Sequence, residues 1–221
     1  MRPPAPTSLP VRPEPAHGAD ITRDRLLQAT HELLFERAGA EPSVSDICAR
    51  AGVNVSMVSY CFGGKRALLQ ALVERTTGAV VAELDALAAL DLPAEEKLRR
   101  HLAGVVRNYL RYPYVNQLGE RLGHAAGPAA ERTTAVLAAP MIGFYTGLLT
   151  DPAFRRVDPV FLFCSITGMC EFLFAARRSV EDTLGAPVDD DAVDRFVEHT
   201  VDLVLHGITS PSSDPPRSAT A

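Results

Sequence analysis

The sequence predicts an all-α protein, and three observations lead there. Apolar residues recur at three- and four-residue spacing over most of 21–207, the period of an amphipathic helix. No convincing run of alternating apolar and polar residues, as a strand would need, interrupts them. The breaks fall at Pro, Gly and Asp-Pro clusters, where helices stop and start. The expected organisation is a Pro-rich tail at 1–20, a three-helix unit at 21–66, a larger helical body at 67–208 and a second unstructured tail at 209–221.

The first helix is expected at about 21–38. Leu26, Leu27, Ala29, Leu33 and Leu34 form its inner face, and Arg23, Arg25, Glu32 and Glu36 its outer one. Ser43 is placed to cap a second helix, with Asp46 three residues on completing a capping box. Ile47, Cys48 and Ala51 give that helix a narrow apolar face, and Gly52 ends it, since a sharp exit favours a residue tolerant of positive φ. Asn54 is a good N-cap for a short third helix to Cys61, with Val58 and Phe62 facing the core. After Gly63-Gly64 a fourth helix runs over 65–90, with Leu68, Leu72, Ala79, Val80, Leu84 and Leu87 in register. Pro93 interrupts it. A fifth spans 94–111, Y-P-Y at 112–114 turns the chain, and a short helix follows at 115–123. Another covers 129–150, where Pro140 is expected to kink or restart it. D-P-A-F and D-P mark a loop at 151–159. The last two helices are expected at 159–184 and 189–207, split by L-G-A-P.

Composition bounds the possibilities. The chain has 221 residues, 47% hydrophobic, with a formal net charge of −5, so it can bury a substantial core. Residues 1–75 carry 9 Lys and Arg against 8 Asp and Glu, and the remainder 13 against 19. That asymmetry has the sign of an N-terminal nucleic-acid reader on an acidic body, but it is small. No apolar signal core lies within the six-proline N-terminus. The apolar stretch at 160–176 is broken by Glu171 and short for a membrane span. A cytoplasmic location is expected. The four cysteines fit it. Cys164 and Cys170 on one helix would lie roughly 9 Å apart along the axis, too far to bridge, and buried reduced thiols are expected.

The layout at 43–69 is that of a helix-turn-helix, whose second helix enters the major groove of DNA. These residues resemble the DNA-binding domain of the TetR family of transcriptional regulators. The matching elements are I-C-A-R-A-G-V at 47–53, Tyr60 and Phe62 in Y-x-F, and G-G-K-R-A-L-L at 63–69. The stretch N-V-S-M-V-S-Y-C-F at 54–62 is similar to a subgroup reading N-V-x-x-I/V-N/S-Y-H/Y-F. Cys48 replaces the usual Ala, and Cys61 stands where the subgroup has His or Tyr, which commonly touches the DNA backbone. The candidate DNA contacts are Ser45 and Asn54, with Val55, Ser56, Met57 and Ser59 on the groove side. By resemblance, Tyr60 and Lys65 contact phosphate, Lys65 at a helix N-terminus that favours an anion. No Arg or Gln on the helix offers bidentate base reading, so part of the specificity is expected from DNA shape.

The body holds an aromatic and sulfur-rich cluster, with Met141, Phe144 and Tyr145 on one helix and Phe163, Met169 and Phe172 on another. For any single one of these residues, ordinary core and dimer packing is the favoured account. The resemblance implies a pocket for a small apolar or amphipathic effector, with Arg107 and Asn116 among its orienting polar groups. Val193, Phe196, Val197, Val201 and Val204 form a stripe at i, i+3, i+4 spacing. The pattern alone says one face is buried; the resemblance implies pairing with a second subunit in a four-helix bundle. Enzyme signatures are poor. His31-Glu32 begins H-E-x-x-H, but residue 35 is Phe. Asp189, Asp190 and Asp191 read as a helix start, and His199 and His206 lack a third metal ligand. The expectation is a homodimeric, non-enzymatic regulator without metal or cofactor. It would bind a palindromic or near-palindromic DNA operator, without a membrane, and be released by an effector. The alternative is a helical ligand-binding protein with weak or lost operator binding.

Overall fold

The structure is a computed structural model that describes Leu9 and residues 18–126 and 133–209. The described residues form ten helices and no strand: α1 (Gly18–Glu36), α2 (Val44–Ala51), α3 (Ser56–Phe62), α4 (Lys65–Ala89), α5 (Ala94–Arg111), α6 (Val115–Ala126), α7 (Thr133–Leu148), α8 (Pro159–Ala175), α9 (Arg177–Leu184) and α10 (Asp190–Ile208). The fold is all-α, as the periodicity requires. An isolated bridge joins Phe154 to Thr209 and ties the end of α10 to the loop before α8.

The local signals at the N-terminal unit work as their chemistry demands. The Ser43 hydroxyl accepts the Asp46 N–H at 3.1 Å, and the Asp46 carboxylate accepts the Ser43 N–H at 3.2 Å. Arg37 donates to the same carboxylate at 2.9 Å. That hydrogen bond, followed by those from Ser43, holds the Asp46 pKa below its ordinary value. Gly52 closes α2 at φ +65°. The Asn54 side chain accepts the Ser56 N–H at 3.0 Å and caps α3 from two residues upstream. Leu26, Leu34, Ile47, Val58, Leu68 and Leu72 pack together beneath these helices.

That apolar cluster reaches beyond the three helices. It takes in the first turns of α4, the Y-P-Y turn through Tyr112 and Tyr114, and Leu118 and Leu122 of α6. Leu9, expected within an unstructured tail, is also part of it. It is 5% exposed, and its N–H donates to the Gln28 side chain at 2.9 Å. The other tail residues outside 18–20 and Thr209 lie outside the described residues, as do 129–132 at the expected start of α7.

The second cluster fills the body. α10 packs along α5, and α7 lies against α4, α6 and α8. α7 runs through Pro140 without the expected restart. Packing on three sides offsets the one backbone hydrogen bond that proline removes. The expected helix over 159–184 is two helices, bent by 76° at Ala176. Arg177 holds the bend. Its guanidinium donates to the Val188 carbonyl at 2.6 Å and to Glu181 at 3.0 Å, while Glu181 also accepts the Val188 N–H. Val188, 1% exposed, is thereby plugged into the core. No single helix among the described residues is long and apolar enough to cross a membrane.

The predicted subunit stripe needs correction. Val193, Val197, Val201 and Val204 are at most 8% exposed and belong to the core of their own chain. Phe196 packs half-buried against the same core. An α-helix one face of which lies on α5 satisfies the stripe without a second subunit. The cysteines also divide. Cys48 and Cys170 are buried, and burial pushes the Cys170 thiol up to about 12. Cys61 is half-buried, and Cys164 is exposed rather than buried.

Candidate functional site

The outer face of α3 is built by what lies behind it. Val58, 1% exposed, faces inward. Arg23 of α1 fixes the far end of the helix by donating to the Cys61 carbonyl at 2.7 Å, with its guanidinium 4.0 Å above the Phe62 ring. Such a cation over a ring face combines electrostatic attraction with a defined orientation. Tyr60 then projects outward at 77% exposure, beside Val55 at 52% and the exposed Ser56 and Ser59. Ser45 is exposed on α2. The Ser56 hydroxyl is engaged with Asn54 at 3.1 Å. Met57 is half-buried against the core, which limits its reach into a groove. Cys61 also leans on that core. Lys65 forms an ion pair with Glu41 at 3.2 Å. α2 is bolted to α1 by Arg50, which donates to Glu36 at 2.9 and 2.8 Å and to Glu32 at 3.2 Å.

A cavity of about 300 Å³ lies among α4, α5, α6, α7 and α8. Of the eight sequence-predicted pocket residues, Asn116, Met141, Tyr145 and Phe163 line it. Phe144 is 9% exposed but packs against the His101 ring at 4.9 Å instead of facing the space. Three need correction, because they sit on other faces of their helices. Arg107 is exposed and 3.5 Å from Asp194. Phe172 is 66% exposed, and Met169 packs half-buried against the core outside the cavity wall.

Sequence reading passed over Thr76, Thr77, His101, Tyr109 and Tyr112, all of which line the space. His101 had a visible signal. It falls on the apolar face of α5 with Leu98, Leu102 and Val105, where a polar residue needs a partner. That partner is the Tyr145 hydroxyl, 2.8 Å from Nε2. Burial pushes the His101 pKa down to about 4, so the ring is neutral at neutral pH. Asn116 donates to the Tyr109 hydroxyl at 3.1 Å, and burial raises the Tyr109 pKa. No group of three or more His, Cys, Asp or Glu among the described residues is placed to hold a metal ion.

Tyr112 and Val115 belong both to the cavity wall and to the apolar cluster of the N-terminal unit. Tyr112 also stands edge-on to His31 of α1, with ring centroids 5.7 Å apart. His31 is fully buried, and its Nδ1 lies 2.5 Å from the Tyr114 hydroxyl.

Comparisons with known proteins agree with this arrangement. Residues 26–72 match the family model described as bacterial regulatory proteins, tetR family. Residues 91–214 match the model described as tetracyclin repressor-like, C-terminal domain. A curated relative, the HTH-type transcriptional regulator BetI 1 of Chromohalobacter salexigens, is 30% identical over 98 residues. That match covers 44% of this chain and 46% of the relative, so the chain spans about half the length of the curated relative it matches. Among solved structures, a TetR-family transcriptional regulator from Pectobacterium atrosepticum superposes with a TM-score of 0.58 at 22% identity, over 89% of this chain and 99% of that one. A TetR/AcrR-family regulator from Thermobifida fusca gives 0.61 at 21% identity, over 84% and 97%. At these identities the structural likeness concerns the fold. With the two family models together spanning most of its length, the chain belongs to the TetR family of bacterial regulatory proteins.

Proposed function

We propose that this chain is a homodimeric transcriptional regulator that reads a palindromic or near-palindromic DNA operator through α3. A small apolar or amphipathic effector filling the cavity releases it, so the empty form represses. The observation that carries the coupling is Tyr112, whose ring is at once a piece of cavity wall and a contact of α1. α1 in turn holds α3 through Arg23. An effector that binds best with Tyr112 displaced disfavours the α1 position that supports DNA reading, and DNA must weaken the effector by the same factor. A second contact supports the same reading. The Glu41 carboxylate lies between Lys65 at the start of α4, at 3.2 Å, and Arg121 of α6, at 3.7 Å. A phosphate that draws Lys65 away changes what Glu41 offers α6.

The second subunit is assigned to the outer faces of α8 and α10. Phe161 and Phe172 are 70% and 66% exposed, and Leu203 on α10 is 52% exposed. The two phenylalanines are eleven positions apart, about three helical turns, which brings them to one side of α8. Exposed large apolar side chains of this kind, two of them on one side of α8, are what an association surface needs.

The test is a gel shift with the DNA upstream of the protein's own gene. Tyr60→Ala is expected to weaken binding to all sequences alike. Lys65→Ala should do so too, with the salt dependence falling by about one ion. Ser59→Ala is expected to alter preference among operators instead. Absence of any sequence-preferring shift at low salt for the wild type would sink the operator reading and favour a ligand-binding protein.

A further inference from the structure

The polar inventory of the cavity narrows what it can hold, an inference resting on the reading of this space as the effector site. Among the described residues, its only formally charged side chains are Glu83 and Arg100. Both side chains are more than half exposed at the rim, and both are already paired. Arg100 lies 2.7 Å from Glu96, and Glu83 lies 3.7 Å from Arg111. Inside, every polar group is uncharged. His101 is neutral at neutral pH and bonded to Tyr145. The Thr76 and Thr77 hydroxyls give their protons to carbonyls of their own helix. The Tyr109 oxygen accepts from Asn116, which leaves its own proton free to donate. The Glu171 carboxylate is felt electrostatically at Tyr109 but is not part of the wall. A carboxylate or ammonium brought here would lose its water and meet no unpaired counter-charge in the wall itself.

We propose that the cavity takes an uncharged, largely apolar ligand of about two fused or linked rings, which offers a carbonyl or hydroxyl oxygen to the Tyr109 hydroxyl. At the packing density of protein interiors, the cavity accommodates roughly 220 Å³ of ligand atoms. Tyr109 supplies orientation, and the apolar walls of Val80, Leu84, Met141, Phe163 and Ile166 supply most of the contact.

Three probes of one shape test this: 2-acetylnaphthalene, which is uncharged, 2-naphthoate, an anion, and 2-naphthamidinium, a cation. Calorimetric titration of the full chain should give one site per subunit for the ketone, at least tenfold tighter than for either ion. Tyr109→Phe should weaken the ketone roughly fivefold, the loss of one hydrogen bond, and leave the ions unchanged. Gly104→Leu provides an internal check. A Cβ at Gly104, a residue of the cavity wall, meets nothing within 4 Å, so the backbone there has room for a side chain that would occupy part of the cavity. This variant should keep the wild-type melting temperature and lose the ketone. An undetectable ketone site, an ion bound as tightly as the ketone, or full ketone binding by Gly104→Leu would each overturn the proposal. Operator affinity, measured on the same samples with and without the ketone, separates this from the regulatory reading. A ketone that binds as described but leaves operator affinity unchanged upholds the ligand class and counts against effector release alone.

Discussion

At the scale of single residues, His101 is the most informative group in the body. Its ring is 6% exposed, bonded to Tyr145 and packed on Phe144. Burial lowers its pKa from 6.5 to about 4, so the unfolded chain takes up the proton first as pH falls. Its contribution is therefore complete above about pH 6.5 and is lost progressively towards pH 4, by up to roughly 3 kcal/mol. His101→Asn should be less stable than wild type at pH 7 but lose less on going to pH 5. Melting temperatures at the two pH values check this, and an equal acid loss in both proteins would rule out His101 as its source. The histidine was legible as a polar residue on an apolar helix face, but Tyr145, 44 positions away, was not visible as its partner. Arg107 and Phe172 show the converse. Their residue types suit a pocket, yet a helix has several faces, and type alone does not say which one meets the cavity.

At the scale of elements, the best-read parts are those whose causes are local. The capping box of α2, the left-handed Gly52 and the Asn54 cap involve atoms at most three residues apart, so the sequence contains the whole interaction. Ser43→Ala removes the hydroxyl that accepts the Asp46 N–H. It should lower stability by about 1 kcal/mol, readable in urea unfolding as a shift of the midpoint with unchanged slope. A midpoint identical to wild type would mean that Arg37 and Asp46 hold the helix start without the cap. The bend between α8 and α9 was illegible for the opposite reason. Neither glycine nor proline marks Ala176, and the residues that fix the turn, Arg177, Glu181 and Val188, act across up to eleven positions. Pro140 misleads in the other direction, since surrounding helices sustain α7 where local propensity would break it.

At the scale of the whole molecule, the stripe on α10 decides what an interface mutation does. Val201 lies inside the chain at 4% exposure. Val201→Glu would bury a charge without a partner and should unfold the subunit, at a cost of several kcal/mol. The double change of Phe161 and Phe172 to Glu should instead leave helicity and melting of the subunit nearly intact while dissociating the dimer. Light scattering and circular dichroism on both variants separate the cases. A folded monomer from Val201→Glu would return the stripe to the interface. The sequence by itself determined the all-α class, the order of most helices and the helix-turn-helix layout, because helical period and end signals are local. Tertiary structure alone decided which faces meet. It set α10 on α5, turned Arg107 and Phe172 outward, and brought Tyr109, Tyr112, His101 and Thr76 around one cavity. It also set Tyr112 against His31, joining the cavity to the DNA-reading unit. These are contacts between residues tens of positions apart, and a periodic pattern specifies that a face is buried without specifying what buries it.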